Sequence, residues 1–352
     1  MANWKDNLIK IEPYVAGEQP AKKDFIKLNA NENPYPPAPG VAEVIRNFNA
    51  GGLNKYPDAN AMPLVRAIAA RLGLKEENIF IGNGSDDVLA LSFRAFFNSG
   101  KPVIYPDITY SFYPVWCDML GIPCETIPVD ENYNIRAEDY KRENGGVIIC
   151  NPNAPTSIGR GLDFMREILD ANPDSVVISD EAYVDFGGTS ALPLLKEYPN
   201  LAVIQTFSKS RSMAGMRIGY AFGNKDLIKA LNNVKFSFNS YTMNAPTLAY
   251  GVAAVEDDAY FKECVEKIKN TREEAKKQLM ALGFTFPDST ANFIFATHQR
   301  VPAKTIFEEL KKRNIYVRYF NKPRIDNYLR ISIGTDAQMQ ALYAALKEIV
   351  NA

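Results

Sequence analysis

The sequence predicts an α/β protein built around a mostly parallel sheet, with a smaller second domain. Short apolar runs rich in β-branched residues alternate with helical patterns along most of the 352 residues, which is typical of parallel sheets covered by helices. After about residue 244 a long helical stretch rich in Lys and Glu follows, and then further strands and helices. That change indicates a smaller α+β domain.

Three regions are expected in chain order. Residues 1–39 are rich in Asn and Pro and predict an irregular N-terminal arm. Residues 40–249 would form the large α/β domain, and residues 250–352 the small C-terminal domain. No internal repeat, low-complexity stretch or Gly/Ser-rich linker divides the chain further.

The elements follow from the length and period of the apolar pattern. In the large domain, runs of three to six mostly apolar residues predict seven strands, at 78–81, 103–105, 124–127, 147–150, 176–179, 201–206 and 218–222. Longer segments with helical spacing predict helices, among them 40–48, 62–72, 86–97 and 163–170. In the small domain we expect helices at 257–282, 303–313 and 336–350, and strands at 293–296, 316–319 and 328–333.

Composition narrows the class of protein. The formal net charge is -1, which gives no electrostatic reason to expect nucleic acid or anionic lipid as a partner. No apolar run approaches the roughly 20 residues that span a bilayer. The first residues do not resemble a signal peptide, because Trp4, Lys5 and Asp6 interrupt any apolar core. We therefore expect a cytoplasmic protein.

The residues best known for metal binding and nucleophilic catalysis are scarce. The four cysteines form no CxxC pair, so neither a disulfide framework nor a zinc site is expected. His298 is the only histidine, which excludes histidine-rich metal sites. If the protein is an enzyme, its difficult chemistry is expected to come from a cofactor.

Ligands of parallel sheets bind beyond the carboxyl ends of the strands, and several predicted strands are followed there by polar residues. Ser85 and Asp86 open a helix after a glycine-rich turn, which suits either an ordinary capped turn or an anion site. Asn151 follows the strand 147–150 within a proline-stiffened loop. Asp180 follows the strand 176–179, where a carboxylate needs a positive partner, with Tyr183 close by.

Lys209 follows the strand 201–206 and lies among small residues. An isolated lysine is usually solvated. Here the neighbouring serines and glycine leave room for a large group, and Ser208 and Arg217 suit a phosphate. The strand ends of one sheet thus offer a lysine, an acid, a phenol, an amide and a phosphate cradle. These are the groups needed to bind pyridoxal phosphate, which a lysine holds as a Schiff base. The sequence therefore predicts this cofactor.

The motifs, taken in order, also resemble a known family. Gly-Ser-Asp, Asn-Pro-Asn-x-Pro-Thr, Asp-Glu-Ala-Tyr and Thr-x-Ser-Lys followed by Gly-x-Arg-x-Gly are similar to those of fold-type I pyridoxal-phosphate aminotransferases. Within that family, three further stretches resemble the histidinol-phosphate aminotransferases. They are Leu-Asn-Ala-Asn-Glu-Asn-Pro at 28–34, Tyr-Pro-Asp at 56–58 and Tyr-Leu-Arg-Ile-Ser-Ile-Gly at 328–334. The resemblance covers nearly the whole chain.

The resemblance implies a role for each matching residue. Lys209 would carry the cofactor and move protons, and Asp180 would pair with the pyridine nitrogen of the cofactor. Tyr183 and Asn151 would bind the phenolic oxygen of the cofactor. The cofactor phosphate would be held by Ser85, Asp86, Thr206, Ser208 and Arg217, with Tyr110 stacked on the ring and Tyr56 reaching across a homodimer interface. The substrate pocket would be lined by Tyr14, Asn31, Tyr56, Asn151, Arg318 and Arg330, where Arg330 takes a carboxylate. Either Arg318 or Arg324 would bind a substrate phosphate.

The implied reaction is a ping-pong transfer of an amino group from histidinol phosphate to 2-oxoglutarate, both small molecules.

Two features depart from the family pattern. Ala154 and Ser157 stand where the family often has Asn and Gly, and Tyr319 and Phe320 add bulk after Arg318. An aromatic amino acid aminotransferase therefore stays an alternative, as does a decarboxylase of a phosphorylated amino acid. A transcription regulator would need a DNA-binding segment longer than the 39-residue arm.

Overall fold

The computed structural model describes residues 3–15, 17–19 and 24–351. Within these residues, twelve strands lie at β1 Ile26–Leu28, β2 Ile79–Gly82, β3 Val103–Pro106, β4 Cys124–Ile127, β5 Gly146–Cys150, β6 Val177–Asp180, β7 Leu201–Thr206, β8 Gly219–Gly223, β9 Phe284–Thr285, β10 Phe293–His298, β11 Ile315–Tyr319 and β12 Leu329–Ser332. The same part of the chain contains ten α-helices, at α1 Pro39–Asn47, α2 Met62–Leu72, α3 Ser85–Phe96, α4 Tyr113–Leu120, α5 Leu162–Ala171, α6 Lys225–Phe238, α7 Ala245–Glu256, α8 Asp258–Ala281, α9 Ala303–Lys312 and α10 Asp336–Asn351.

The larger sheet has seven strands in the order β2-β8-β7-β6-β5-β3-β4. Only β8 runs antiparallel to its neighbours, and all other pairs are parallel. Successive residues of β5 alternate between two apolar cores, with Val147 and Ile149 in one and Ile148 and Cys150 in the other. The centre of the sheet is thus buried on both faces, as is typical of parallel sheets. The predicted α/β class and mostly parallel seven-stranded sheet are confirmed.

The smaller sheet has five strands in the order β1-β11-β12-β10-β9. Its edge strand β1 comes from the N-terminal region and pairs in parallel with β11, so that Ile26 lies opposite Ile315. The expectation of a wholly irregular arm over residues 1–39 is therefore wrong at β1 and at a short 3₁₀ helix, Trp4–Asn7. The pairing partner lies almost 300 residues away, so no local pattern announces this strand.

The predicted limit between residues 249 and 250 falls inside α7, which packs along α1 and α2 of the large domain. The long helix α8 begins directly afterwards and packs against the small-sheet strands β9 and β10. Asp257 lies between the two helices, and its side chain accepts a hydrogen bond from the first turn of α8. We propose that the small domain begins near Asp257.

Candidate active site

A cavity of about 600 Å³ opens at the carboxyl ends of the parallel strands, between the two sheets. All predicted site residues except Tyr56, Asn151 and Thr206 lie on its walls. Strands β5, β6 and β7 end there because they are parallel neighbours in register, with Cys150 opposite Asp180 and Asp180 opposite Ile204. The small sheet contributes Arg318 and Arg330 from the other side.

Lys209 reaches into the cavity from the turn after β7. Its Nζ donates a hydrogen bond to the carbonyl oxygen of Ala30 at 3.2 Å and lies 5.7 Å from the ring centroid of Tyr183. Burial, and then the positive charge of Arg330, lower the pKa of the Lys209 amine to about 8. The unprotonated form of the amine is therefore far more populated near neutral pH than at the ordinary lysine pKa, and a nucleophile or general base must be in that form.

Asp180 is the last residue of β6 and is 3% exposed. One carboxylate oxygen, Oδ2, accepts a hydrogen bond from the hydroxyl of Tyr113 at 2.7 Å, whereas the buried Oδ1 has no partner. Burial raises the pKa of Asp180 to about 6. An unsatisfied buried carboxylate oxygen at a cavity wall is costly, so it suits a ligand that brings a protonated nitrogen.

Helix α3 begins at Ser85, and Gly84 takes the N-cap position with a φ of 88°. No side chain caps this helix, so the expectation that Ser85 and Asp86 would cap it is wrong. The first-turn N–H groups are left for an anion. Arg217 adds a positive charge, its guanidinium lying 3.2 Å from Asp86 Oδ2. Together with Ser208 on the cavity wall, these groups form a phosphate-sized cradle.

Two tyrosines flank the space between Lys209 and this cradle. The hydroxyl of Tyr110 donates a hydrogen bond to Asp86 Oδ1 at 2.8 Å, and burial raises its pKa well above the ordinary value. The oxygen of Tyr183 accepts a hydrogen bond from Asn31 Nδ2 at 3.1 Å. Burial raises the pKa of Tyr183 to about 12, with Arg330 and Asn31 acting in the opposite direction. Both phenols are therefore protonated donors at physiological pH.

Asn151 does not reach the cavity. Its Oδ1 accepts from the backbone N–H of Arg160 at 2.8 Å, and its Nδ2 donates to the carbonyl oxygen of Arg160 at 3.0 Å. The reason is strand alternation, because Cys150 faces the cavity and the next side chain points the other way. Ala154 and Pro155 form that part of the wall instead. The predicted contacts of Asn151 with cofactor and substrate are therefore not supported.

Thr206 also lies off the cavity wall. Its Oγ1 accepts a hydrogen bond from the N–H of Ser208 at 3.1 Å and donates to the carbonyl oxygen of Ile218 at 3.1 Å. These bonds shape the turn that presents Ser208 and Lys209, so its influence on the cradle is indirect. Tyr56 is 81% exposed and stacks on Tyr241 at 4.5 Å between ring centroids. Its predicted role across a dimer interface stays a prediction.

Arg330 and Arg318 face each other across the antiparallel pair β11 and β12. Arg330 donates to the carbonyl oxygen of Asn29 at 2.9 Å, while its buried Nε has no partner. Arg318 lies on the cavity wall, where one nitrogen is 3.5 Å from the carbonyl oxygen of Val15. Within the described residues, neither guanidinium has a carboxylate partner. The pair is therefore suited to anionic substrate groups.

Arg324 is fully engaged and does not offer a comparable anion site. Its guanidinium donates to Asp107 Oδ2 at 2.7 Å and to the carbonyl oxygens of Val129 and Asp130. Of the two candidates for a substrate phosphate, the geometry favours Arg318. Tyr14 lies on the same wall and stacks on Phe112 at 4.6 Å.

Sequence reasoning missed several groups that the structure places in the site. Tyr113 holds Asp180, and the carbonyl oxygens of Asn29 and Ala30 hold Arg330 and Lys209. Backbone carbonyls carry no residue-type signal, so no motif could have indicated them. Tyr113 opens α4 within an aromatic-rich stretch, and its fully buried position shows only in three dimensions.

The described part of the chain covers residues 3–15, 17–19 and 24–351. None of its helices is both long and apolar enough to cross a membrane. Over the same residues, no group of three or more His, Cys, Asp or Glu side chains is arranged to hold a metal ion. His298 is 3% exposed and packs away from the cavity, with Nε2 3.0 Å from the carbonyl oxygen of Leu282.

The chain is similar to known proteins over nearly its whole length. The model of the family "Aminotransferase class I and II" matches residues 23–346. A histidinol-phosphate aminotransferase from Clostridium botulinum is 49% identical over 352 residues, covering 100% of this chain and 99% of the relative. One from Clostridium acetobutylicum is 50% identical over 347 residues, covering 99% of each chain.

A solved structure agrees with these relatives. Histidinol-phosphate aminotransferase from Sinorhizobium meliloti, in complex with pyridoxal-5'-phosphate, superimposes with a TM-score of 0.83 at 27% identity. The match covers 93% of this chain and 91% of that one. The fold, the cavity at the strand ends and the full-length identity agree with one another. The chain belongs to the aminotransferase class I and II family.

Proposed function

We propose that the protein is a pyridoxal-phosphate-dependent histidinol-phosphate aminotransferase. It would pass the amino group of histidinol phosphate to 2-oxoglutarate, giving imidazole-acetol phosphate and glutamate. The observation that carries the proposal is the identity of 49% and 50% to histidinol-phosphate aminotransferases over essentially the whole chain. The arrangement of the cavity supports it independently.

The residues of the cavity suit pyridoxal phosphate at both of its ends. The α3 N-terminus, Ser208 and Arg217 would hold the phosphate. The unpartnered Oδ1 of Asp180 would hold the ring nitrogen in its protonated state. Lys209 projects into the same cavity with an amine that is partly unprotonated near neutral pH.

Bound pyridoxal phosphate supplies a carbonyl that accepts the amino group and an electron-withdrawing ring that acidifies the donor's Cα–H. Lys209 Nζ, with its lowered pKa, would take that proton and return it on the product side, a transfer worth about 10²–10⁴ in rate. The Tyr183 hydroxyl would donate a hydrogen bond to the phenolic oxygen of the cofactor. Both substrates would occupy the same cavity in turn, so a ping-pong order is expected.

The substrate end of the cavity suits two different anions in turn. Arg330, which is half-buried and whose buried Nε has no partner, would bind the carboxylate of glutamate or 2-oxoglutarate. Arg318 would bind the phosphate of histidinol phosphate. Phe320 lies between them, 5.6 Å from the Arg318 guanidinium and 5.7 Å from that of Arg330. Its ring offers a flat apolar surface for the imidazole.

We also propose a homodimer in which Tyr56 completes the partner's site. Tyr56 and Leu53 are exposed, as are Phe238 and Tyr241 on a nearby segment. Exposed large apolar side chains gathered in this way are typical of an interface. The ring of Tyr56 is too exposed to serve its own cavity, and it is absent from the cavity wall.

A cytoplasmic location would suit this chemistry. The four cysteines are free, and three of them are buried. Free thiols persist in a reducing compartment.

Replacing Arg318 tests the substrate assignment. We expect Arg318→Gln to lower kcat/KM for histidinol phosphate by about 10–100-fold, because each hydrogen bond between charged groups contributes about 1.5–3 kcal/mol. Arg300→Gln, which removes an equal charge from an exposed turn away from the cavity, should change it less than twofold. Steady-state kinetics with both variants provide the measurement. Equal values for Arg318→Gln and the wild type would rule out Arg318 as the phosphate site.

A further inference from the structure

We propose that Asn31 is a positioning residue, which fixes the direction in which the Tyr183 hydroxyl donates its proton toward the cofactor's phenolic oxygen. The inference rests on the proposed function, since it requires that pyridoxal phosphate binds in this cavity. It differs from the sequence-based expectation that Asn31 lines the substrate pocket as a direct contact. Asn31 is 1% exposed.

Ser332 fixes the orientation of the Asn31 amide. The backbone N–H of Asn31 donates to Ser332 Oγ at 2.8 Å, so that hydroxyl is an acceptor on one side. Its own proton is directed to Asn31 Oδ1, 3.1 Å away. With Oδ1 engaged in this way, the NH₂ group of the amide is the half that faces Tyr183.

The amide makes the Tyr183 oxygen an acceptor. Asn31 Nδ2 donates to Tyr183 Oη at 3.1 Å, and this is the hydrogen bond that the structure gives that oxygen within the described residues. An NH₂ group cannot accept a proton from the phenol. The phenolic proton must therefore point elsewhere, and the open direction is the cavity that Tyr183 lines.

The neighbouring loop offers no substitute for this amide. Asn151 is bound on both sides by the backbone of Arg160. Asn153 accepts from the hydroxyl of Thr109 and donates to the carbonyl oxygen of Ile108. Ala154, on the cavity wall, has no polar side-chain atom. Asn31 is therefore the amide on which the orientation of Tyr183 depends.

The backbone of Asn31 is itself held in place. Its φ is 54°, a left-handed conformation that Asn adopts more readily than most residues. Its carbonyl oxygen accepts a hydrogen bond from Asn292 Nδ2 at 3.0 Å. Contacts with Asn292 and with Ser332 of β12 fix this amide relative to the small sheet, so the small domain sets the hydroxyl direction of a residue in the large domain.

The test is a pH titration of the visible absorbance of the bound cofactor without any substrate. A hydrogen bond donated to the phenolic oxygen withdraws charge from it and lowers the pKa that the absorbance reports. We expect Asn31→Gly, which suits the positive φ, to raise that pKa by about 0.5–1 unit, the effect of a hydrogen bond of about 1 kcal/mol. Ser332→Ala, which frees the amide to turn, should raise it in the same direction by less.

The same two variants in a Tyr183→Phe background separate positioning from packing. If Asn31 acts through the tyrosine, neither substitution moves the pKa further in that background. The charged groups that face Tyr183 are Arg330, Asp180 and Lys209, and these variants leave them in place. A shift of equal size in both backgrounds, or no shift beside a native Tyr183, would overturn the inference.

The outcomes also distinguish this inference from the proposed function. A purified protein that takes up no pyridoxal phosphate overturns both. A protein that binds it and titrates normally, with no response to Asn31→Gly or Ser332→Ala, overturns the role of Asn31 alone. A wrong donor assignment leaves the titration unaffected, because no donor is present.

Discussion

At the scale of single residues, the site contains two groups whose pKa values are shifted by burial in the direction that favours the neutral form. Burial raises the pKa of Asp180 to about 6 and lowers that of Lys209 to about 8. Neither group has an ion-pair partner within the described residues, and one oxygen of Asp180 has no hydrogen bond. These costs are typical of a site shaped for a ligand, where function and stability conflict.

The Asp180→Asn variant should make the cofactor-free protein more stable. In the wild type, the pKa of Asp180 in the folded state lies above the unfolded value of 3.8. The folded state therefore binds more protons than the unfolded state between pH 3.8 and about 6. Wild-type stability falls as the pH rises through that window, and the full cost persists above it. At about 1.4 kcal/mol per pKa unit, we expect Asp180→Asn to gain up to about 3 kcal/mol at pH 8 and about half of that at pH 5.

Urea unfolding of the cofactor-free protein at the two pH values measures this difference. Glu131→Gln, which replaces an exposed carboxylate, serves as the control and should leave stability unchanged at both pH values. A destabilised Asp180→Asn protein at pH 8 would contradict the account of the buried charge.

Sequence reasoning found the residues whose type is unusual for their position but not the direction of each side chain. The acid at a strand end and the lysine among small residues both lie on the cavity wall. Asn151 was misplaced because the side chain that follows Cys150 points away from the cavity, although the end of β5 at Cys150 was predicted correctly. The role of Ala30 and Asn29 lies in their carbonyl groups, which every residue has.

At the scale of elements, the strands of the large sheet lie within a residue or two of their predicted bounds. Most of them are continuous apolar runs buried on both faces, whereas the edge strand β4 is exposed at three of its four residues. The run expected at 147–150 is found at Gly146–Cys150. Strand β1 is different, since three residues carry too little pattern to identify a strand, and it depends on β11 for its hydrogen bonds. Helix α3 begins one residue before the predicted start at 86, since Gly84 provides the positive φ at its cap.

The start of α3 yields a prediction for Gly84→Ala. A Cβ at Gly84 would lie 2.5 Å from a guanidinium nitrogen of Arg217, at a φ of 88° that L residues rarely adopt. Arg217 would have to move out of the phosphate cradle. We expect the affinity for pyridoxal phosphate to fall by about 10–100-fold, the loss of about one or two charge-assisted hydrogen bonds.

Equilibrium titration of the cofactor-free protein with pyridoxal phosphate measures that affinity. Gly161→Ala is a matched control, because Gly161 is the N-cap of α5, with no atom within 4 Å of its added Cβ. It should bind the cofactor like the wild type. If Gly84→Ala does so too, the cradle does not depend on the geometry of this turn.

At the scale of the whole molecule, the cavity exists because two sheets meet. The large sheet provides Asp180 and the turn bearing Lys209, while the small sheet provides the arginines. The sequence predicted both domains, but not that the N-terminal segment joins them by pairing with β11 and by offering its carbonyl oxygens to Lys209 and Arg330. That contact joins distant parts of the chain and depends on tertiary structure alone.

The proposed dimer predicts complementation between two inactive chains. A Lys209→Ala chain lacks the lysine in its own cavity, and a Tyr56→Ala chain spoils its partner's cavity. In the mixed dimer, one cavity would combine a native Lys209 with a native Tyr56 from the other chain. We expect co-refolded chains to recover up to about a quarter of wild-type activity at equal amounts, since half of the dimers are mixed and each has one complete site. No recovery from a mixture shown to contain mixed dimers would contradict the shared site.

The central claim is that Lys209 serves an amino-group transfer from histidinol phosphate. The most direct test mixes the protein loaded with pyridoxal phosphate with one amino donor at a time and follows the spectrum of the cofactor into its aminated form. The panel is histidinol phosphate, glutamate, phenylalanine and O-phosphothreonine. The account predicts rapid conversion by histidinol phosphate and by glutamate, and loss of both in Lys209→Ala. Rapid conversion by phenylalanine with none by histidinol phosphate, or unchanged conversion in Lys209→Ala, would contradict it.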